Sequence, residues 1–532
     1  MIKRVLLLIF LVCELNLVFA QFYNIKDFGA KGDSTTINSP FINKAINEAA
    51  KNGGGTIYFP AGKYLSYTIR LKSNISILLD QGAVLIAAEP THQEGYDLPE
   101  PETAWEMYQD FGHNHWTNSL IWGEGLHDIA IYGHGTIDGK GLNGGADKGD
   151  PAGTGNKAIG LKLCKNVTIR DITFYCCGHF CLLATGVDNL TLDNIKVDSN
   201  RDGFDIDCCK NVRISNCTVN TPADDAICLK SSYALGYARV TENVTITNCQ
   251  VSAYDLGTLL DGTYQKTYRR RSVSGRIKFG TESNGGFKNI TISNCVFDYS
   301  RGLALETVDG GVLEDITITN ITMRDVMDVP LFIRLGLRMS APEGNPKSIC
   351  RRIIVSNLVA FNVDPTRGIM IMGSKGYDVE DVELTNLKVY YKKGGGIPPD
   401  STNKRGYIFG YVGKKEDIDI EVPELDMEFP EIVKSYPEPH QWGALPSYAL
   451  YARHVKNLRV NHVQFFYDDK NEMRPPFVLD DAKNVSFHCV EAMKDLQAPY
   501  FFLKNVTGFN VNSCKGIADL NLRDFKLKKI FK

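Results

Sequence analysis

Seven segments of this chain share one pattern, a leading Asn or Asp followed by apolar, polar and apolar residues: Asn166-Val-Thr-Ile, Asn189-Leu-Thr-Leu, Asn211-Val-Arg-Ile, Asn243-Val-Thr-Ile, Asn289-Ile-Thr-Ile, Asp315-Ile-Thr-Ile and Asp381-Val-Glu-Leu. The first three begin 23 and 22 residues apart. One short alternating strand per period of that length implies a solenoid, whose coils bury their apolar sides against one another. Similar strands are expected at Thr56 to Phe59, Ile75 to Leu79, Val84 to Ala87 and Ile129 to Tyr132. They continue around Ile353 to Val359, Asn457 to Phe465 and Asn484 to Cys489, each bounded by Gly, Asn or Asp. No helical period separates them, which excludes alternating β/α architecture. The fold expected is all-β, a parallel β-helix over residues 64–532.

The first coil of such a stack would expose apolar core and unpaired strand edges. Residues 21–63 supply a cap: Ser39-Pro40 predicts a helix start with Ser at the N-cap. Ile42, Ala45, Ile46 and Ala49 give it an apolar face, and Gly53-Gly54-Gly55 ends it. Residues 1–20 read as a secretory signal peptide, with Lys3 and Arg4, an apolar stretch from Val5 to Val12, and Val18-Phe-Ala20 before the cut. The mature chain is then expected in the periplasm or outside the cell, without a membrane span and as a monomer. A net charge of -3, from 59 basic and 62 acidic residues, gives no footing for nucleic acid. Arg269-Arg270-Arg271 reads as a solvated loop.

Beyond the signal the cysteines are odd in number, 13 of the 14, so no complete disulfide framework exists. Cys217, Cys249 and Cys295 follow equivalent Asn residues and suit inward packing, as does the cluster Cys176-Cys177-Gly-His179-Phe-Cys181, which lacks zinc-like spacing. The recurring Asn-x-Thr/Ser triplets record the strand pattern rather than glycosylation. Asn194, Asn216, Asn248, Asn294, Asn320 and Asn386 are expected to stack as a ladder of amides at a turn. Three long loops interrupt the repeat, at 89–126, 231–276 and 391–445. The first carries Trp105, Tyr108, Phe111, His113, His115 and Trp116, the second Tyr233, Tyr237 and Tyr264, and the third ends in Tyr436-Pro-Glu-Pro-His440-Gln-Trp442. Such aromatics suit either stacking on sugar faces or packing onto the solenoid.

The chemistry concentrates in Asn200-Arg-Asp202-Gly-Phe-Asp205-Ile-Asp207 and Ala223-Asp224-Asp225-Ala-Ile-Cys-Leu-Lys230. One coil separates them, so Asp202 should lie beside Asp224 and Asp225, roughly 5 Å apart at the backbone if the coils pair as parallel strands. Glycoside hydrolysis needs one carboxyl protonated, for the leaving oxygen, and one ionised. Crowding three acids raises the proton affinity of at least one. Asp205 and Asp207, sharing a face by alternation, suit bonded structural roles.

These two segments resemble the Asn-Thr-Asp and Asp-Asp motifs of the polygalacturonase family, family 28 of the glycoside hydrolases, with Arg201 in place of Thr. Thr136-Ile-Asp138-Gly139-Lys-Gly141 is similar to that family too. The resemblance implies a right-handed β-helix with a capped N-terminal end, a pectic substrate and no cofactor or metal. It makes Asp224 the general acid, with Asp202 and Asp225 holding and deprotonating a water, so that the anomeric centre inverts. Two family motifs are not at their places. Where Gly-His-Gly is expected stands Ser274-Gly275-Arg276-Ile-Lys278-Phe-Gly280-Thr-Glu282, and where Arg-Ile-Lys is expected stands Leu303-Ala304-Leu305-Glu306-Thr307. Arg276-Ile-Lys278 therefore lies one coil early, although Arg276 suits a substrate carboxylate. Glu282 and Glu306 are candidates for bonding neutral sugar hydroxyls, with Asn200, Lys230 and His179 as further substrate contacts. His179 lies one coil before Asp202 and suits either the subsite or the core. This points to a divergent branch acting on modified pectin such as rhamnogalacturonan, at chain ends. Two other readings stay open: a Ca²⁺-dependent lyase, with the acids on the metal and Arg276 or Lys278 as base, and a non-catalytic carbohydrate-binding β-helix.

Overall fold

A computed structural model describes residues 21–109, 112–145, 150–266, 273–393, 431–468, 472, 474–496 and 498–530. The expected signal peptide, Phe111, Arg269-Arg270-Arg271 and residues 394–430 of the third loop lie outside the described residues.

The expected strands stack in parallel, each coil hydrogen-bonded to the next. The stack that matters here runs through β1 (Phe180–Thr185), β2 (Asp202–Asp207), β3 (Ile227–Ser231), β4 (Ile277–Ser283), β5 (Leu303–Thr307) and β6 (Leu331–Leu335). A second stack passes through Lys165–Arg170, Asp188–Asp193, Lys210–Ser215 and Thr241–Thr247, and a third through Thr173–Tyr175, Lys196–Asp198, Thr218–Asn220 and Gln250–Ser252. From Phe287–Ser300 to Val379–Tyr391 the second and third strands of a coil run on as one, and from Leu450–Asn461 the first and second do so instead. Inward-facing Ile, Leu, Val, Phe and Cys of all three walls form one continuous core.

The corner before the second stack is turned by Asn in the left-handed region, a conformation Asn tolerates better than most residues. Asn166, Asn189, Asn211, Asn243 and Asn289 have φ of 54–58°. Each amide donates to the residue one coil back, Asn289 to Asn243, Asn243 to Asn211, Asn211 to Asn189, Asn189 to Asn166 and Asn166 to Asp128. The triplets thus serve the corner. The ladder expected from Asn194 to Asn386 forms at the next corner, with one correction. Asn194 donates to Asp171, which occupies its neighbouring rung, and Asn216 donates to Asp193, the residue beside Asn194, rather than to Asn194 itself. Asn248, Asn320 and Asn386 do bond the amide of the coil before, the last through Asn357.

Helix α1 (Ser39–Lys51) lies against Gly55–Phe59 with Ile42, Ala45, Ile46 and Ala49 fully buried. Its start is one residue earlier than expected: Asn38 holds the cap position and Ser39 is already helical. The Asn38 side chain instead bonds the carbonyls of Lys31 and Thr36, tying the preceding turn. At the other end the antiparallel pair Phe501–Asn512 and Leu520–Ile530 closes the stack. No helix of the described residues is long and apolar enough to cross a membrane. All 13 described cysteines are unpaired, and Cys177, Cys181, Cys217, Cys249 and Cys295 lie in the core.

The excursions are narrower than their sequence limits. The first spans 88–118, since Ser119–Glu124 is already a strand of the stack. The second divides into 232–240 and 253–276 around Thr241–Thr247 and Gln250–Ser252.

Candidate active site

In β2 the side chains of Phe204 and Ile206 enter the core, and Asp205 and Asp207 take the outer face. Asp202 opens the strand, and Asp224-Asp225 sit on the turn before β3. Backbone bonds hold the turn against its neighbour: Gly203 N–H donates to the Asp225 carbonyl and Phe204 N–H to that of Ala226, both at 3.0 Å. Asp202, Asp224 and Asp225 each bring a carboxylate oxygen within 4.8 Å of the others. Asp202 and Asp225 are nearly inaccessible, whereas the Asp224 side chain is 30% exposed and forms the open side of the cluster.

The three acids do not share one environment. Burial, then the charges of Asp224 and Asp205, push the Asp202 carboxyl well above the usual carboxylate range. Asp224 moves up as well, through burial and the adjacent Asp225, against the pull of Arg201 at 2.7 Å. Burial alone would raise Asp225 too, but Arg276 and Lys278 overcome it and hold Asp225 at about 2. Arg276 Nε donates to Asp225 Oδ1 at 2.6 Å, Ser274 Oγ donates to the same oxygen at 2.8 Å, and Lys278 Nζ is 3.5 Å from Oδ2. The cluster therefore contains two carboxyls displaced upward beside one displaced downward.

Arg276 and Lys278 face the cluster from β4, which pairs directly with β3, so the one-coil displacement read from the sequence is present in the register. Their other partners come from far along the chain. Arg276 makes a two-pronged contact with Glu438, at 2.6 and 3.2 Å, and Lys278 donates to the Tyr436 hydroxyl at 2.9 Å. Arg301 adds a third cation on Glu438 at 2.7 Å. Burial would raise Glu438; Arg276 and Arg301 carry it well below its usual range.

Glu282 and Glu306 are brought to the same face but have no accessible surface, so neither reaches a sugar hydroxyl in this conformation, contrary to the expectation. Glu282 is instead 3.1 Å from Lys230, which also approaches Asp205 at 3.8 Å. Glu306 lies 3.8 Å from Lys278, and burial, against Lys278 and Arg276, pushes it up to about 7. Asn200 accepts from Ala223 N–H through its backbone, shaping the turn between the acidic segments. His179 lies behind the site. Its Nδ1 is 2.9 Å from the Gly145 carbonyl and its Nε2 is 3.4 Å from Arg201, and burial followed by Arg201 lowers it to about 2, so it backs Arg201 as a neutral ring. Asp205 bonds His113 at 3.0 Å and Asp207 bonds Ser232, the structural roles expected of both.

Arg201, Ser274, Arg301, Tyr436 and Glu438 were not singled out as site residues. Arg201 carried a signal, as the unusual residue inside the first acidic motif. Ser274 stood in the segment quoted around Arg276; Tyr436 and Glu438 carried no signal, because a loop that folds back has no period.

The outer face is covered on both sides of the acids. Upstream, Trp116 of the first excursion packs on Phe180 and Leu183 of β1 and donates to Thr185. Downstream, Trp442 and Leu445 pack on Ala304, Phe332 and Met370. Among the described residues, the side chains of the cluster that stay accessible are Arg201 and Asp224, 34% and 30% exposed, and they mark a recess beside the start of β2 and the turn before β3.

Three carboxyls in unequal environments, with cationic neighbours, thus meet on one face of the β-helix. Residues 101–254, which include both acidic segments, match the model of glycosyl hydrolases family 28, and residues 22–94 match that of rhamnogalacturonase A/epimerase, pectate lyase-like. The chain is 27% identical over 323 residues to a Vitis vinifera protein named "Probable polygalacturonase", covering 57% of this chain and 60% of that one. It is 27% identical over 266 residues to a Cochliobolus carbonum polygalacturonase, covering 44% and 61%. It thus spans 60% and 61% of the length of these relatives. The family 28 exopolygalacturonase of Yersinia enterocolitica matches with a TM-score of 0.61 at 17% identity, over 89% of this chain and 78% of that one. The polygalacturonase of Erwinia carotovora matches at 0.51 and 18%, over 67% and 90%. At such identities the two structures speak to the fold alone, the right-handed parallel β-helix. The likeness to family 28 of the glycoside hydrolases lies in residues 101–254, the part of the chain that carries both acidic segments.

Proposed function

We propose that this protein is a secreted hydrolase that removes galacturonic acid from the ends of pectic chains, acting on rhamnogalacturonan-type oligosaccharides with inversion. Asp224, open to the recess and raised in proton affinity, gives its proton to the glycosidic oxygen as the C1–O bond breaks. A water held between Asp202 and Asp225 attacks C1 from the other face and yields its proton to Asp225. The observation that carries this reading is the meeting of three carboxyls within 4.8 Å in unequal settings: Asp224 is accessible and raised in proton affinity by burial and Asp225, and Asp225 is bound by Arg276 and lowered by it. The packing of Trp116 on β1 and of Trp442 over β5 and β6 covers the outer face on both sides of the acids among the described residues and supports attack at a chain end. The match of residues 22–94 to a rhamnogalacturonase A/epimerase, pectate lyase-like model supports the modified pectin.

Product analysis on homogalacturonan, rhamnogalacturonan oligosaccharides and 4-nitrophenyl galacturonide tests the proposal. Galacturonic acid is expected from at least one of them, foremost the rhamnogalacturonan ends. No release from any contradicts it. An unsaturated product, with loss of activity in chelator, makes the protein a lyase instead; binding without turnover makes it a carbohydrate-binding solenoid.

A further inference from the structure

We propose that Glu438 fixes the charge of the substrate: the sugar seated over Arg276 and Lys278 is neutral, and the uronate carboxylate lies on the opposite side of the acids, at Arg201. The inference rests on the hydrolase reading of the same recess.

Glu438 is 8% exposed, and its carboxylate sits in the fork of the Arg276 guanidinium with Arg301 on its second oxygen and Lys278 4.0 Å away. This is the geometry in which Arg recognises a free carboxylate. The chain thus fills with its own side chain the position where an acidic sugar would bind. The arrangement is built rather than incidental. Pro437 and Pro439 flank Glu438, whose φ of -86° and ψ of 133° are the extended values a residue before proline adopts. Trp442, with no accessible surface, anchors the segment in the apolar cluster over β5 and β6.

The hydrogen-bonding edges of Arg276 are already taken. Its Nε is on Asp225 and its two terminal nitrogens are on Glu438, Arg301 is shared by Glu438 and Asp328, and the nearby Arg367 is held by Asp328 at 2.7 Å. A uronate over Arg276 would be a further carboxylate beside Glu438, a like-charge contact of the kind that excludes wrong partners. A neutral sugar meets no such cost and finds an ionised acceptor for its hydroxyls. Across the acids the balance differs. Arg201, in the coil of Asp202, keeps 34% of its side chain exposed, with Asp224 at 2.7 Å and Asp202 at 3.9 Å. Among the described residues it is an accessible cation beside the acids, and Arg276 lies two coils further on.

The test compares wild type, Glu438→Gln and Glu438→Ala, with folding checked by circular dichroism. Binding of digalacturonate and of a galacturonate–rhamnose disaccharide is measured by calorimetry, alongside kcat/KM on the matching oligosaccharides. Removing the Glu438 charge is expected to tighten digalacturonate by about tenfold relative to the mixed disaccharide and to shift the kcat/KM ratio the same way. Arg201→Ala is expected to weaken both ligands. Wild-type affinities and ratios in both Glu438 variants overturn the proposal, and so does digalacturonate binding to wild type as tightly as to the variants. If wild type cleaves none of these sugars, the hydrolase reading fails, and the calorimetric comparison still decides the charge of the subsite.

Discussion

Asp224→Asn is expected to lower kcat on a rhamnogalacturonan oligosaccharide by about 10² to 10⁴-fold, the usual contribution of a positioned general acid. Binding should persist, because Asp224 is the most exposed of the three acids and its loss leaves the Asp225–Arg276–Glu438 network in place. Arg201, freed of a partner at 2.7 Å, would hold a uronate at least as well as before. The diagnostic comparison is 4-nitrophenyl galacturonide, whose leaving group departs without a proton. If Asp224 is the acid, the variant loses far less on this substrate than on the oligosaccharide. Equal losses on both would assign Asp224 to positioning and leave the acid elsewhere.

Arg276→Ala is expected to be the most damaging single change for stability. It strips Asp225 and Glu438 of their closest cation in a place where the Arg276 side chain is 4% exposed, and breaking a buried pair from one side costs about 3–5 kcal/mol. The thermal midpoint should fall accordingly. The variant should also move the acid limb of the pH–rate profile. With Arg276 present Asp225 stays ionised down to about pH 2, so the base is available throughout the acidic range. Because its folded-state value is depressed, the stability that Asp225 contributes is present above the ordinary carboxylate range and is lost as pH falls through about 2. Without Arg276 the carboxyl holds its proton to higher pH, and activity is lost on the acid side first. An acid limb that stays in place would remove Asp225 from the role of base.

The solenoid and the meeting of the three acids were legible because both follow from local spacing. Asn166, Asn189 and Asn211 mark successive corners, and Asp202 and Asp224 keep the same period, so their register needs no knowledge of tertiary packing. The helix cap was read one residue late, at Ser39, because Asn38 uses its amide on the preceding turn rather than on the helix. Glu282 and Glu306 were placed on the correct face, but their exposure was not readable. It depends on Lys230 and Lys278, which turn both acids into buried counter-charges. Glu438 lies 162 residues from Arg276, and nothing in its own segment says which coil it will meet. Contacts made by a returning loop are set by where its anchor, Trp442, finds an apolar surface.

The most direct measurement is the configuration of the galacturonic acid first released, followed by proton NMR before mutarotation. Two carboxyls about 5 Å apart ordinarily go with a covalent intermediate and retention, and wider pairs with a water and inversion. Here the three oxygens lie within 4.8 Å of one another, but the third acid gives the water a place between Asp202 and Asp225 while Asp224 faces the leaving oxygen. The account predicts that the β-anomer accumulates first from an α-linked substrate. An α-anomer formed first would make one of these aspartates a nucleophile, and an unsaturated sugar would mean that no water attacks at all.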